Sequence, residues 1–259
     1  MALVRPTNLT VLEFKGLHLY HAHVSNCAGR VRLLLEEKRL PWVSHHIQLA
    51  KSENVTEEYF GINPKGVVPT LVHDGKVITE SNDILVYLEE NYTETSFRAV
   101  SDQKQSKINR WLELSASTHM PGIKTFQYHR INATALKKSD DKVALYRRLQ
   151  KDPEYLEFHG RHDLPGKSFT SEDSDKARNL LDGIFREMEG TLTRNRWLVE
   201  DTYTLADISW SPSIKTLMRG GQGSFDFTPY PCLMDWYNRI SARPAFQKAI
   251  TEWYARTWE

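Results

Sequence analysis

The stretch Ile62-Asn63-Pro64-Lys65-Gly66-Val67-Val68-Pro69-Thr70-Leu71-Val72 carries most of the structural information in this chain. A proline directly before an apolar run marks the start of a strand, and X-Pro bonds are nearly the sole place where cis peptides occur. A cis bond at Val68–Pro69 would turn the Val68 backbone outward, offering one N–H and one C=O to an extended peptide. Such a ligand docks as a miniature added strand. Gly66 permits the close approach. The dipeptide alone leaves open a trans proline opening an edge strand.

On the C-terminal side, Thr70 to His73 and Lys76 to Thr79 read as short strands joined by Asp74-Gly75, a pair that tolerates the positive φ of a tight hairpin. Ser81 then caps a helix with Ile84, Leu85 and Leu88 on one face. On the N-terminal side, Leu17 to His21 alternates like a strand, Arg30 to Lys38 has helical spacing, and Trp42 to Ile47 reads as a second strand. The order β-α-β followed by β-β-α describes a thioredoxin-like domain over residues 1–92, with a short N-terminal extension.

Beyond Tyr92 the strand signals stop. Residues 93–105 are polar and read as a linker, and 106–259 read as an all-helical domain. Its helical segments are Ser106 to His119, Asp140 to Gln150, Ser174 to Leu192, Leu205 to Met218 and Cys232 to Ile240. Asp152 to Ser171, with Pro153, Gly160, Pro165 and Gly166, reads as a mobile loop, a lid being the alternative. Arg219-Gly220-Gly221-Gln222-Gly223 lacks the lysine and preceding strand of a phosphate loop and reads as a flexible helix exit.

Composition narrows the function classes. The 259 residues carry a formal net charge of +1, which gives no global attraction to nucleic acid or an anionic membrane. No apolar run approaches the ~20 residues of a membrane span, and the first residues lack the layout of a signal peptide. Two cysteines, Cys27 and Cys232, do not make a disulfide scaffold, so a reducing cytoplasm is expected. No metal site is expected.

Three segments bear chemistry. Ser25-Asn26-Cys27-Ala28-Gly29-Arg30 lies at a strand-to-helix turn, where unpaired N–H groups and the helix dipole favour negative charge. A hydroxyl or thiol there can donate to a bound thiolate, or Ser25 or Asn26 can simply cap the helix. Val68-Pro69 offers a backbone edge. Glu80-Ser81 opens a second helix, where a hydroxyl and N–H groups suit a carboxylate and Glu80 suits an ammonium.

These segments, in this order, resemble the glutathione transferase family. The resemblance extends through Thr204-Leu205-Ala206-Asp207, a capping box, and through a closing helix with Trp236, Ile240, Arg243 and Pro244. It implies the glutathione transferase fold, with glutathione as cosubstrate. Val68 and Pro69 would pair with its cysteinyl unit, and Glu80 and Ser81 would hold its γ-glutamyl end. Asn54 or Lys51 would serve its glycine carboxylate. Ser25, with Asn26, takes the place of the thiolate ligand, as in bacterial β-etherases that cleave lignin-derived aryl ethers. Ser25-Asn26-Cys27 also resembles zeta-like reductive dehalogenases, where Cys27 would act as a mixed-disulfide nucleophile. Asn26 stands where a proline usually follows, and no tyrosine occurs in the turn. A homodimer or a heterodimer with a related chain is implied as well.

Holding glutathione's thiol about two units below ~8.5 needs roughly 2.7 kcal/mol. One hydrogen bond to a charged group (~1.5–3 kcal/mol) plus the helix dipole (~0.3–1 kcal/mol) supplies it. The thiolate would then attack an aromatic electrophile, β-aryl ether cleavage being favoured over dehalogenation. Trp111, His119, Tyr128, Trp210 and Phe225 are expected to line the pocket, with His119, Tyr128 and His129 placed to protonate a leaving group. Cys27 is expected to point into helix packing. Cys27-dependent dehalogenation or thiol–disulfide exchange, and a non-catalytic binding or assembly domain, are the other readings.

Overall fold

In the computed structural model, which describes residues 2–98, 101–130, 138–163, 168–219 and 224–256, a mixed sheet is followed by helices. The sheet contains β1 (Ala2–Val4), β2 (Leu17–His21), β3 (Trp42–His46), β4 (Thr70–His73) and β5 (Lys76–Thr79), in the order β1-β5-β4-β2-β3. β2 runs parallel to β3, with Leu19 opposite Ser44, and antiparallel to β4, with Leu19 opposite Leu71. The crossover between the parallel pair is α1 (Asn26–Glu37), which starts four residues before the Arg30 expected from periodicity. β1 was not foreseen. It adds to the free edge of β5, Ala2 facing Thr79, because an edge strand leaves N–H and C=O groups open to any nearby extended segment. Asp74 and Gly75 both take positive φ, as the hairpin requires.

α3 (Ser81–Asn91) closes the sheet layer, and α4 (Asp102–Ser117) begins four residues earlier than Ser106. Pro121-Gly122 looks like a stop signal, yet the helix passes through it. A π-helical segment (His119–Lys124) widens the turn around the proline, which lacks an N–H to donate, and α5 (Thr125–Arg130) continues the chain.

Then follow α6 (Asp140–Leu149), α7 (Pro153–Gly160), α8 (Ser171–Leu192), α9 (Leu205–Leu217) and α10 (Pro231–Ser241). α7, with a 3-10 turn at Arg161–Asp163, occupies much of the segment expected to be a mobile loop. Asp152 accepts the N–H groups of Glu154 and Tyr155, and Pro153 sits in the first turn, where its missing N–H costs nothing. The Gly220–Gly223 helix exit lies outside the described residues.

One apolar cluster runs from Leu19, Val31 and Leu71 of the sheet layer to Trp111, Phe185 and Trp210 of the helices. α1 lies close against α9. A Cβ added to Gly29 would meet Ile250 at 2.9 Å and Pro212 at 3.2 Å, so the small residue sets the interhelical spacing. The N-cap of α9 is the expected capping box. Asp207 accepts from Thr204 N, and also from Leu198 N and Trp236 Nε1, so it pins three segments at once. Arg243 grips Glu37 at the end of α1 through two parallel hydrogen bonds of 2.6 and 2.8 Å. No described helix is long and apolar enough to cross a membrane.

Candidate active site

Ser25 is the N-cap of α1, and its Oγ accepts the Ala28 N–H at 3.2 Å. That occupies one acceptor lobe and leaves the hydroxyl proton to be donated elsewhere. Ser25 is half-buried.

Asn26 corrects the expectation that it assists a thiolate. It is buried, its Oδ1 accepts Cys27 N at 2.7 Å, and its Nδ2 reaches Ser213 Oγ of α9 at 3.5 Å. Its carboxamide oxygen is taken by the next residue of α1, and its nitrogen reaches toward α9. Cys27 corrects the opposite expectation. The thiol does not point into helix packing; it is half-buried, with Sγ 3.4 Å from His119 Nε2.

The Val68–Pro69 bond is cis. Buried Tyr59 and Asn63 hold the preceding turn, donating to Val67 O at 2.6 and 2.9 Å and both contacting Thr70 Oγ1. Among the described residues nothing pairs with the Val68 N–H or C=O. Gly66 has φ +62°, and a Cβ there would lie 2.3 Å from the Phe60 ring, so glycine is required on both counts. Asn54 Nδ2 donates to Gly66 O at 2.8 Å and so braces this turn, with its second N–H left over. Lys51 ends a short exposed 3-10 turn.

Glu80 precedes α3 with φ +61°, a strained value for a non-glycine residue. Its carboxylate pairs with Lys65 at 2.7 Å. Beneath it, buried Arg30 donates from Nη1 to Ser81 Oγ at 3.2 Å and from Nη2 to Ser115 O and Ser213 Oγ. Because the guanidinium donates to the Ser81 oxygen, that hydroxyl's own proton can turn outward. Among the described residues Arg30 Nε has no partner and no carboxylate pairs with the guanidinium, so the floor of the site carries a buried positive charge.

The far wall comes from the π segment and α7. Lys124 Nζ lies 3.2 Å from His159 Nε2, and Lys65 Nζ lies 5.0 Å over the Tyr155 ring. Burial lowers the Lys124 ammonium to about 8, against the pull of Cys27 and Glu80. Burial first, then the charges of Lys124 and Arg30, holds His119 neutral, well below its usual range. α6 and the residue that caps its end are clamped across the sheet-layer loops. Lys142 donates to Val55 O at 2.7 Å, Gln150 to Lys65 O at 2.8 Å, and Arg148 pairs with Glu57.

A hydroxyl at the start of α1, an open backbone edge at Val68, and a strained helix start at Glu80-Ser81 thus surround one cationic cleft. The N-terminal domain family of glutathione S-transferases matches residues 19–96, and the C-terminal domain family matches residues 141–244. The chain belongs to the glutathione S-transferase family.

Glutathione is accordingly its thiol cosubstrate. The chain is similar to protein LigF of Sphingobium sp. strain SYK-6, at 30% identity over 220 residues, covering 83% of this chain and 85% of LigF. The crystal structure of beta-etherase LigF superposes with a TM-score of 0.80 at 26% identity, covering 91% and 99% of the two chains. Glutathione S-transferase Z2 of Arabidopsis thaliana is 28% identical, over 91% of each chain. The open Val68 edge and the buried Arg30 charge fit an extended, anionic tripeptide.

The expected aromatic pocket needs correcting. Trp111 and Trp210 are core residues, meeting edge-to-face with Trp210 Nε1 donating to Trp111 O at 3.0 Å. Phe225 is buried among Phe126, Phe185 and Phe227. Large rings on the inner faces of packed helices fill the core, where they bury most apolar area. His119 does reach the cleft, but as a neutral imidazole it is not the acid expected there. Tyr128 packs against Phe158 and Phe169 near His159, and burial pushes its hydroxyl up to about 12. Arg30, Lys124, Tyr155 and His159 were not foreseen. The polar stretch with Pro153, Gly160, Pro165 and Gly166 had suggested a loop, and a buried arginine inside a helix gives no sequence signal. Among the described residues no group of three or more His, Cys, Asp or Glu side chains is arranged to hold a metal ion.

Proposed function

We propose that this glutathione transferase cleaves β-aryl ethers, joining glutathione to the ether's carbon chain and releasing a phenol. The observation that carries the reading is the Ser25 hydroxyl, capped through its oxygen by Ala28 N–H and left with its proton to hold a thiolate. Glutathione supplies the thiolate that displaces the phenolate. Ser25 holds that sulfur, Arg30 orients Ser81 toward the γ-glutamyl carboxylate, and Val68 docks the peptide backbone. The likeness to beta-etherase LigF supports the choice of an aryl ether as electrophile.

A second reading has its own observation. Cys27 Sγ lies 3.4 Å from His119, inside the cleft, which favours thiol exchange or reductive dehalogenation. One screen separates the two. The protein is mixed with glutathione and either a β-aryl ether or a halogenated hydroquinone, and products are followed by mass spectrometry. A thioether and a free phenol are the expected outcome. Halide release with glutathione disulfide would install the second reading, and no consumption of glutathione with either compound would remove both.

A further inference from the structure

We propose that Lys124 is a catalytic residue, the proton donor to the departing phenolate oxygen, which suits the cleft to aryl ethers whose phenols leave poorly. The assignment rests on the ether reading above. Lys124 is the last residue of the π segment, and the extra residue in that turn re-aims the side chains that follow Pro121. Its Nζ donates one N–H to His159 Nε2 at 3.2 Å, and the Phe158 ring lies 6.0 Å away. Among the described residues it has no other hydrogen-bond partner, which leaves two ammonium protons for a ligand.

The groups facing it come from each neighbouring element. Cys27 belongs to α1, Glu80 precedes α3, His159 belongs to α7, and His119 lies one turn back on its own segment. The other acids of the cleft are unsuited. His119 is neutral, burial pushes the Tyr155 hydroxyl up and holds the Tyr128 hydroxyl up to about 12, and Lys65 is paired with Glu80 at 2.7 Å. An ammonium near about 8 is mostly protonated at neutral pH, yet acid enough to protonate a phenolate whose own pKa is ~10.

In the displacement a C–S bond forms at the ether carbon as the C–O bond breaks, with its electron pair passing to oxygen. Nζ gives that oxygen a proton and becomes a neutral amine. The proton shed by the next glutathione thiol restores the ammonium, so no outside co-reactant is needed.

The test uses a series of β-aryl ethers whose phenols range from unsubstituted to nitro-substituted, with wild type, Lys124→Met and Lys124→Arg. A nitrophenolate leaves without a proton, so it should tolerate both changes. With the unsubstituted phenol, both variants should lose about 10²-fold or more of kcat, the usual scale of general acid catalysis. The arginine keeps the charge but does not give up a proton, so its failure separates proton transfer from electrostatics. Wild-type kcat should fall as pH rises through about 8, and Lys124→Met should lack that limb. One readout stands apart from turnover. Carbon-13 labelled lysine should show one side chain titrating at about 8 that vanishes in Lys124→Met. Equal losses on both ethers, or an active Lys124→Arg, would overturn the assignment while the ether reading stands. Absence of ether cleavage by wild type would remove the ether reading and the assignment together.

Discussion

Two neighbouring side chains, Ser25 and Cys27, divide the possible chemistry. Ser25 was identifiable in the sequence as a cap at a strand-to-helix turn, and it is one. Its availability as a donor became visible only with the Ala28 contact. Removing the hydroxyl in Ser25→Ala should cost about 1.5–3 kcal/mol of thiolate stabilisation, roughly a ten- to hundredfold drop in turnover, with recovery at high pH where the thiol ionises unaided. Cys27 sits in the cleft, so Cys27→Ser should alter the pocket wall but retain ether cleavage. Steady-state rates across a pH series decide the matter. A fully active Ser25→Ala beside an inactive Cys27→Ser would falsify the serine assignment. Arg30 shows the limit of reading residues singly. Its neighbours in sequence describe an ordinary helix, while its partners Ser81, Ser115 and Ser213 lie 51 to 183 residues away.

At the scale of elements, periodicity located the sheet-layer strands and several helices because each buries one face. It missed features made by long-range contact. β1 exists because β5 has an open edge, and α7 is folded over loops contributed by the first third of the chain. The same scale holds a buried ion pair. Lys38, at the end of α1, meets Glu89 of α3 at 2.7 Å with both side chains 1% exposed, and Lys38 also donates to Tyr92 O. Glu89 in turn accepts the Phe97 N–H, fastening the chain that leaves α3. Lys38→Met would strand the carboxylate in the core and should destabilise the protein by about 3–5 kcal/mol. A urea unfolding series measures this, and a loss below about 1 kcal/mol would mean that the carboxylate finds water.

For the whole molecule, the cleft lies where the sheet layer, the π segment and α7 meet, so glutathione binding and global stability are linked. Glutathione at ten times its dissociation constant should stabilise the fold by about 1.4 kcal/mol, read as a rise in Tm. A thermal midpoint indifferent to millimolar glutathione would contradict the docking proposed at Val68 and Ser81. What the sequence by itself determined is local. Turn chemistry at Asp74-Gly75 and Val68-Pro69, the capping box at Thr204 and the helix starts at Ser25 and Ser81 depend on residues within a few positions of one another. Their ordered resemblance was enough to specify the fold. Only the tertiary structure decided which aromatic rings fill the core, which way Asn26 and Cys27 face, and where the buried Arg30 and Lys124 lie. Those outcomes depend on how much surface distant elements bury against each other, and on the desolvation that such burial imposes on Arg30, His119 and Lys124.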